Sequence, residues 1–299
     1  MREGVSASRV WLPKDEDNAW LTLLDFLEAR FPFISQAIIQ DRMTRGEIVD
    51  DKGNPFHPDT PYQGDAFLFY YRETPDEPKI PFAENILFED EHIIVVDKPH
   101  FLPVTPGGRF VKETLLTRLK ARYNNEDISP IHRLDRETAG VMLFTCNKQM
   151  RGAYQSLFQQ REVQKVYHAI AGINPDLSFP LTHKSHMTKS SASFFLMQEV
   201  VGDCNCEPNS ETEIKIIKQK QSLALYELKP VTGKQHQLRV HMMSLGIPLL
   251  NDPFYPDLLA DKGEDYSKPL QLLAKQITFK DPLTKEMRSF ISELSLRLL

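Results

Sequence analysis

The densest group of chemically versatile side chains lies between Ile131 and Gly140, where His-Arg-Leu-Asp-Arg-Glu places five ionisable residues in one short segment. Asp135 stands between Arg133 and Arg136, and nearby guanidinium groups favour an ionised carboxylate. Such a carboxylate beside a buried strand can act as a nucleophile or as a general base. A turn held together by salt bridges is the alternative, and the spacing alone does not exclude it.

A second polar group, Gln-His-Gln-Leu-Arg-Val-His, ends at His241. We predict a strand over Gln237–His241 that passes into a helix through Leu245. On that strand Gln237, Arg239 and His241 would share one face and could line the floor of a cleft. A solvent-facing edge is the alternative. The histidines at positions 236 and 241 lack the spacing of helical metal ligands, so a structural role suits them better.

A third group, Lys-Val-Tyr-His-Ala-Ile-Ala-Gly, begins at Lys165 and predicts a strand. Lys165, Tyr167 and Ala169 would lie on the same face of that strand. A tyrosine on a strand that faces a cleft offers a flat ring on which a nucleic-acid base can stack. A tyrosine of the hydrophobic core is an equally good interpretation.

The elements around these groups predict a mixed fold. The predicted helices are Trp20–Leu27, Gln36–Arg45, Thr114–Tyr123 and Met150–Arg161. The predicted strands are Glu47–Val49, Asp65–Tyr71, two between Ile86 and Pro99, Gly140–Thr145, Val163–Ala171, Ser191–Val201 and Leu223–Leu228. Long irregular connections replace the regular helical crossovers of a parallel sheet. The predicted fold class is therefore α+β with a mostly antiparallel mixed sheet.

Three prolines between Thr74 and Pro81 predict a semi-rigid linker. It would separate a small N-terminal α+β module, residues 1–79, from a larger domain, residues 80–299. The module holds nine basic and fifteen acidic residues, whereas the larger domain holds 27 and 26. The net charge of −5 therefore arises in the module, and it does not exclude a nucleic-acid partner for the larger domain. A basic stretch from Arg109 to Arg122 also fits a solvated helix face.

Composition excludes several classes of protein. No run of eighteen apolar residues is present, so no segment is expected to span a membrane. The first twenty residues lack the apolar core of a secretory signal. Three sparse cysteines argue against a disulfide framework and for a reducing compartment. Cys204 and Cys206 have the wrong spacing for a zinc site. We therefore expect a cytoplasmic protein with no membrane partner and no metal.

Taken in order, these groups resemble the RluA-type pseudouridine synthases. The matching segments are Ile86–Glu91, Val95–Pro99, Leu102–Val104, His132–Thr138, Lys165–Tyr167, Thr232–Gly233 and His236–His241. The resemblance covers roughly residues 82–292. The module before it looks like a degenerate form of the small RNA-binding domain that often precedes this catalytic domain.

The resemblance implies an isomerase that converts uridine to pseudouridine in structured RNA, either ribosomal or transfer RNA, without a metal or organic cofactor. A monomer is expected. Asp135 would be the catalytic aspartate that attacks the target nucleoside, Tyr167 would stack on the target base, and Arg239 would pair with the aspartate. Arg133 would fill the gap left by a flipped nucleotide. The remaining residues assigned to substrate binding are His132, Thr138, Lys165, Lys234, His236, Gln237 and His241.

Two other functions stay open at this point. The first is a non-catalytic RNA-binding or RNA-chaperone protein on the same fold. It is disfavoured because such a protein has no chemical reason to keep Asp135, Tyr167 and Arg239 together. The second is a hydrolase built on Asp135 and His132. It would need a positioned water or a second carboxylate, for which Glu137 is the nearest candidate.

Overall fold

The computed structural model describes residues 3–71, 77–191, 193, 195–200, 206–259 and 265–298. It divides into two compact units, Met1–Asp76 and Glu77–Leu299. Part of the predicted linker, residues 74–76, lies outside the described residues. None of the described helices is long and apolar enough to cross a membrane.

The first unit combines a three-stranded antiparallel sheet with two short helices around one core. Its elements are β1 (Ser8–Leu12), α1 (Leu23–Arg30), α2 (Gln36–Thr44), β2 (Ile48–Val49) and β3 (Ala66–Tyr70), with strand order β1-β3-β2. Helix α1 begins later than predicted because Thr22 caps it. The Thr22 hydroxyl accepts the amide hydrogen of Asp25, and the Asp25 carboxylate accepts the amide of Thr22. Strand β1 was not predicted, and it is held by pairing with the distant β3.

The second unit carries the three groups of polar residues. Its strands are β4 (Asn85–Glu89), β5 (Ile93–Lys98), β6 (Ser129–Pro130), β7 (Ala139–Thr145), β8 (Gln164–Gly172), β9 (Leu181–Ser185), β10 (Met187–Lys189), β11 (Met197–Glu199), β12 (Ser210–Lys220), β13 (Leu223–Pro230), β14 (Leu272–Lys280) and β15 (Met287–Ile291). Its helices are α3 (Leu115–Tyr123), α4 (Arg151–Gln159) and α5 (Gln237–Ser244).

Ten of these strands form one sheet with the order β4-β5-β7-β14-β8-β13-β12-β9, to which β15 is joined through β14 and β6 through β7. Within the described ranges, β7 and β14 are the one parallel pair, and the other pairings are antiparallel. The prediction of an α+β fold with a mostly antiparallel mixed sheet is confirmed.

The parallel pairing of β7 with β14 depends on Gly140. Its φ of +113° is unfavourable for a residue with a side chain. A Cβ atom added there would lie 2.2 Å from the backbone oxygen of Ala274. This close approach lies at the start of β7, where the loop that carries Asp135 joins the sheet.

The predicted strand over Gln237–His241 is wrong, because this segment forms helix α5. Alternation of polar and apolar residues suggested a strand. However, every residue from Gln237 to Met242 is buried, so the alternation does not mark an exposed and a buried face. Polar residues are buried on this helix because other parts of the chain supply partners for them.

One further expectation needs correction. The predicted strand Ser191–Val201 is limited, within the described residues, to β11, Met197–Glu199. Cys146 is a free cysteine, whereas Cys206 is disulfide-bonded. One such bond does not form the disulfide framework that the sequence argues against.

Candidate active site

A cavity of about 620 Å³ lies where the loop between β6 and β7, strand β8 and the beginning of α5 meet. Ten of the predicted site residues line it: His132, Arg133, Asp135, Thr138, Lys165, Tyr167, Lys234, His236, Gln237 and Arg239. The structure does not bring His241 to this cavity. Residues from distant parts of the sequence therefore meet around one concave site.

Asp135 and Arg239 form an ion pair at this cavity. Arg239 donates a hydrogen bond from Nη1 to Oδ2 of Asp135 over 3.1 Å. The arginine side chain is 1% exposed and the aspartate side chain 31% exposed. In the described part of the chain no hydrogen bond engages Oδ1 of Asp135. One carboxylate oxygen is thus held in place, and the other is available for chemistry.

A second carboxylate, Asp252, holds the other side of the guanidinium. Arg239 donates from Nε to Asp252 Oδ2 over 2.9 Å and from Nη2 to Oδ1 over 2.5 Å. Burial by itself lowers the pKa of Arg239, but the hydrogen bonds and charges of Asp252 and Asp135 raise it overall. The ring of Phe254 lies 4.5 Å from the guanidinium carbon. The sequence analysis missed Asp252, since nothing near it marks it as a partner of a residue on α5.

Tyr167 is placed at the cavity by strand β8, where it is paired with Leu228 of β13 and Ala274 of β14. Burial raises the pKa of the Tyr167 hydroxyl, and the negative charge of Asp135 adds to that effect. The phenol is therefore neutral at physiological pH. A neutral phenol offers an aromatic face and a hydrogen-bond donor, whereas removing its proton would be difficult.

Lys98, at the end of β5, anchors the loop that carries Asp135. The Lys98 side chain is fully buried, and Nζ donates to the backbone oxygens of Pro99, Leu102 and Arg136 over 3.0, 2.9 and 3.1 Å. Because Arg136 directly follows Asp135, this contact fixes the backbone beside the carboxylate. A lysine at the end of a buried strand was the one sequence signal for this role.

Gln237 lines the cavity, but its hydrogen-bonding groups are used within the protein. Its Oε1 accepts from the Thr232 hydroxyl and the Lys234 amide over 2.7 and 3.0 Å. Its Nε2 donates to the Glu211 backbone oxygen and the Thr212 hydroxyl, each over 2.9 Å. An amide makes about four hydrogen bonds. Gln237 therefore shapes the turn around Lys234.

His132 is likewise engaged inside the protein. Its Nε2 accepts the amide hydrogen of Leu143 over 3.1 Å, and its ring stacks on Phe158 with 4.7 Å between ring centres. Burial lowers the pKa of His132 to about 3. The lone pair that a general base would use is already occupied, so a hydrolase built on Asp135 and His132 is disfavoured.

The lowered pKa of His132 predicts that the free energy of unfolding decreases as the pH falls. Its folded pKa of about 3 lies below the ordinary value of 6.5, so the unfolded chain takes up this proton first as the pH falls. The contribution of neutral His132 to the free energy of unfolding is complete above about pH 6.5 and is lost as the pH falls toward about 3. Between about pH 6.5 and 4.5 we expect a loss of roughly 2 kcal/mol. Urea unfolding at several pH values measures it.

The matched variants for this measurement are His132→Gln and His57→Gln. Glutamine at position 132 can still accept from Leu143 but does not titrate, so the pH dependence should become shallower. The exposed His57 serves as the control, and its replacement should leave the slope unchanged. Equal slopes for the wild type and His132→Gln would contradict the prediction.

The cavity is strongly basic although the whole chain is acidic. Its lining includes five basic side chains, Arg133, Arg161, Lys165, Lys234 and Arg239, and one acidic side chain, Asp135. Arg161 was not among the predicted site residues, because it was assigned as the last residue of the predicted helix Met150–Arg161. This excess of positive charge suits a polyanionic substrate.

His241 belongs to a separate cluster, in which ligand atoms of His183, Glu199 and His241 all lie within 4.8 Å of one another. The Ser210 hydroxyl donates to the backbone oxygen of Ser185 over 2.8 Å, so it can accept from Nε2 of His241 at 3.0 Å. His183 contacts Glu199 over 2.8 Å. Hydrogen bonds between protein groups thus engage Nε2 of His183 and Nε2 of His241, and the cluster joins β9, β11 and β12 to α5.

Comparison with known proteins gives one consistent result. The family described as RNA pseudouridylate synthase matches residues 92–244. The "Uncharacterized RNA pseudouridine synthase slr1592" of Synechocystis is 30% identical over 78% of this chain and 79% of its own. The "Dual-specificity RNA pseudouridine synthase RluA" of Vibrio vulnificus is 32% identical over 71% of this chain and 83% of its own. The solved structure of "Human RNA Pseudouridylate Synthase Domain Containing 4" is 28% identical, has a TM-score of 0.53, and is matched over 70% of this chain and 88% of that chain.

Proposed function

The chain belongs to the RluA-type RNA pseudouridine synthases, and from this premise we propose that Asp135 begins the isomerisation of a flipped-out uridine in structured RNA. Ribosomal and transfer RNA are the proposed substrates. The observation that supports this assignment best is the Asp135–Arg239 ion pair at the same basic cavity as Tyr167.

The proposed reaction conserves every atom of the substrate. Asp135 attacks the target nucleoside and forms a transient bond to it, and the bond between N1 of uracil and C1′ of ribose breaks. A bond between C5 and C1′ then forms, and the bond to Asp135 breaks, which restores the carboxylate. The hydrogen on C5 is lost and N1 gains one, so uridine and pseudouridine are isomers. No net oxidation or reduction occurs. Arg239 holds the carboxylate, and the neutral Tyr167 ring supports the detached uracil while it rotates.

A cavity of this kind requires the target base to leave its stack. Extrusion of a nucleotide costs a few kcal/mol, and least where the base is unpaired. Arg133 at the cavity edge is proposed to occupy the vacated space. The surrounding Lys165 and Lys234 would contact the phosphate backbone. These contacts favour loops and bulges, where single bases can be splayed out.

Mapping pseudouridines in cells with and without this gene tests the proposal directly. We expect one or a few uridines to lose the modification in the deletion strain, and purified protein should restore it on a transcript of the same RNA. An unchanged map, together with RNA binding by the purified protein, would favour the non-catalytic alternative.

We also propose that the first unit selects RNA by shape, since residues 1–79 carry a net charge of −6. A chain that begins just before Glu77 should fold, because the Glu77 carboxylate accepts the amides of Lys112 and Glu113 over 2.7 and 3.0 Å within the second unit. It should keep kcat and bind RNA less selectively. The slope of the logarithm of the binding constant against the logarithm of the salt concentration should change by less than about one unit, which corresponds to one phosphate contact.

A salt series on the same RNA measures this for the full-length and the truncated chain. If truncation lowers the slope by several units, the first unit supplies direct phosphate contacts and the proposal for it fails.

A further inference from the structure

His236 stands beside Asp135 with an unusual backbone conformation. It precedes α5 with φ of 54° and ψ of 16°, which is the left-handed region. Few residues with a side chain adopt this region. The His236 side chain is 6% exposed, and its Nε2 lies 3.8 Å from Oδ2 of Asp135. The imidazole is therefore held next to the carboxylate, just beyond hydrogen-bonding distance.

The hydrogen bonds of Tyr255 determine which nitrogen of His236 carries its hydrogen. Tyr255 Oη accepts the amide hydrogen of Met197 over 2.9 Å and lies 2.9 Å from His236 Nδ1. If Nδ1 also donated to Oη, the buried phenol hydrogen would have no acceptor among the residues that the structure describes. We therefore assign Tyr255 as the donor to Nδ1. The hydrogen of the neutral imidazole is then on Nε2, toward Asp135.

Burial and four nearby charged groups together determine the pKa of His236. Burial lowers its pKa, the carboxylates of Asp135 and Asp252 oppose this effect, and the guanidinium groups of Arg239 and Arg133 reinforce it, with a net lowering. The imidazole is neutral at physiological pH. It can thus offer a hydrogen to Asp135 without competing with Arg239 as a counterion.

We infer that Tyr255 and His236 form a positioning pair for Asp135. Tyr255 keeps the imidazole in its Nε2–H form, and this N–H orients the carboxylate without neutralising it. The gap of 3.8 Å closes to a hydrogen bond when substrate fills the cavity, as catalytic contacts commonly do. The inference rests on the proposed role of Asp135.

The variant Tyr255→Phe tests the pair, because it keeps the ring and removes the one hydrogen that Nδ1 accepts. Nδ1 can then take up a proton more readily, and the resulting imidazolium would pair with Asp135 and weaken the nucleophile. We expect kcat near neutral pH to fall about tenfold, the effect of one hydrogen bond between uncharged groups. The acidic limb of the kcat profile should move to higher pH, with KM for RNA changed by less than about twofold.

Two controls separate this role from a structural one. Tyr226→Phe also removes a buried tyrosine hydrogen bond, to the Gly172 backbone oxygen over 2.7 Å, but away from the cavity lining. It should leave the pH profile unchanged. In a His236→Gln background, whose amide offers N–H but does not titrate, Tyr255→Phe should no longer move the acidic limb.

Nitrogen NMR of labelled histidine in the wild-type protein provides a second readout that does not depend on activity. We expect Nε2 to be protonated and Nδ1 unprotonated near neutral pH. The inference is overturned if Nδ1 carries the hydrogen, if Tyr255→Phe has the wild-type pH profile, or if the shift persists with Gln at position 236. If the wild type forms no pseudouridine, the proposed function fails, while the NMR result still decides the tautomer.

Discussion

Replacing Asp135 with Asn should reduce pseudouridine formation by at least about 10⁴-fold, the scale expected when a reacting group is removed. The amide keeps the shape of the side chain but is neither a nucleophile nor a counterion for Arg239. RNA binding should stay within about threefold of the wild type, because the five basic residues at the cavity are unchanged. Single-turnover release of hydrogen from C5-labelled uridine measures the chemical step separately from binding.

Asp127→Asn is the matched control, since Asp127 is an exposed aspartate that does not line the cavity. It should have wild-type activity. Turnover by Asp135→Asn at a rate close to that of the wild type would contradict the assignment of Asp135 as the nucleophile.

Replacing Arg239 with Met should abolish activity and also destabilise the fold by about 3–5 kcal/mol. The activity is lost because Asp135 loses the group that holds Oδ2. The stability is lost because Asp252, whose side chain is fully buried, is left without its bidentate partner. Urea unfolding, analysed by linear extrapolation, gives the change in the free energy of unfolding.

The double variant Arg239→Met with Asp252→Asn separates the two effects. It removes the unpaired buried charge, so most of the lost stability should return while activity stays absent. Arg239→Lys should also be inactive, because an ammonium group cannot replace the planar fork that binds both carboxylates. A double variant no more stable than Arg239→Met would contradict this account of the buried charges.

Features that depend on residues close together in the sequence were predictable from the sequence. The buried apolar runs of β5 and β7 and the helices α3 and α4 were placed to within a few residues. Their signals are local, namely apolar runs and residues such as Thr114, whose hydroxyl accepts the amide hydrogen of Thr117 at the start of α3. The family, and with it the candidate roles of Asp135, Tyr167 and Arg239, followed from motifs that are short and contiguous.

Helix α5 shows where local patterns stop being informative. Alternating polarity from Gln237 to His241 favoured a strand, but the surrounding sheet and loops bury the segment on all sides. The four bonds of Gln237 and the contacts of His241 come from β9, β12 and the turn before α5. Tertiary partners therefore decided both the secondary structure and which polar residues face the cavity.

The two partners of Arg239 were likewise decided by the tertiary structure. Asp135 is 104 positions away in sequence and Asp252 is 13 positions away. The sequence by itself determined that a carboxylate and an arginine are available, whereas the fold determined that two carboxylates share one guanidinium. The physical reason is that a buried charge is stable only where packing supplies a partner of opposite sign at hydrogen-bonding distance. The same packing collects five basic side chains around one carboxylate in a chain whose net charge is −5.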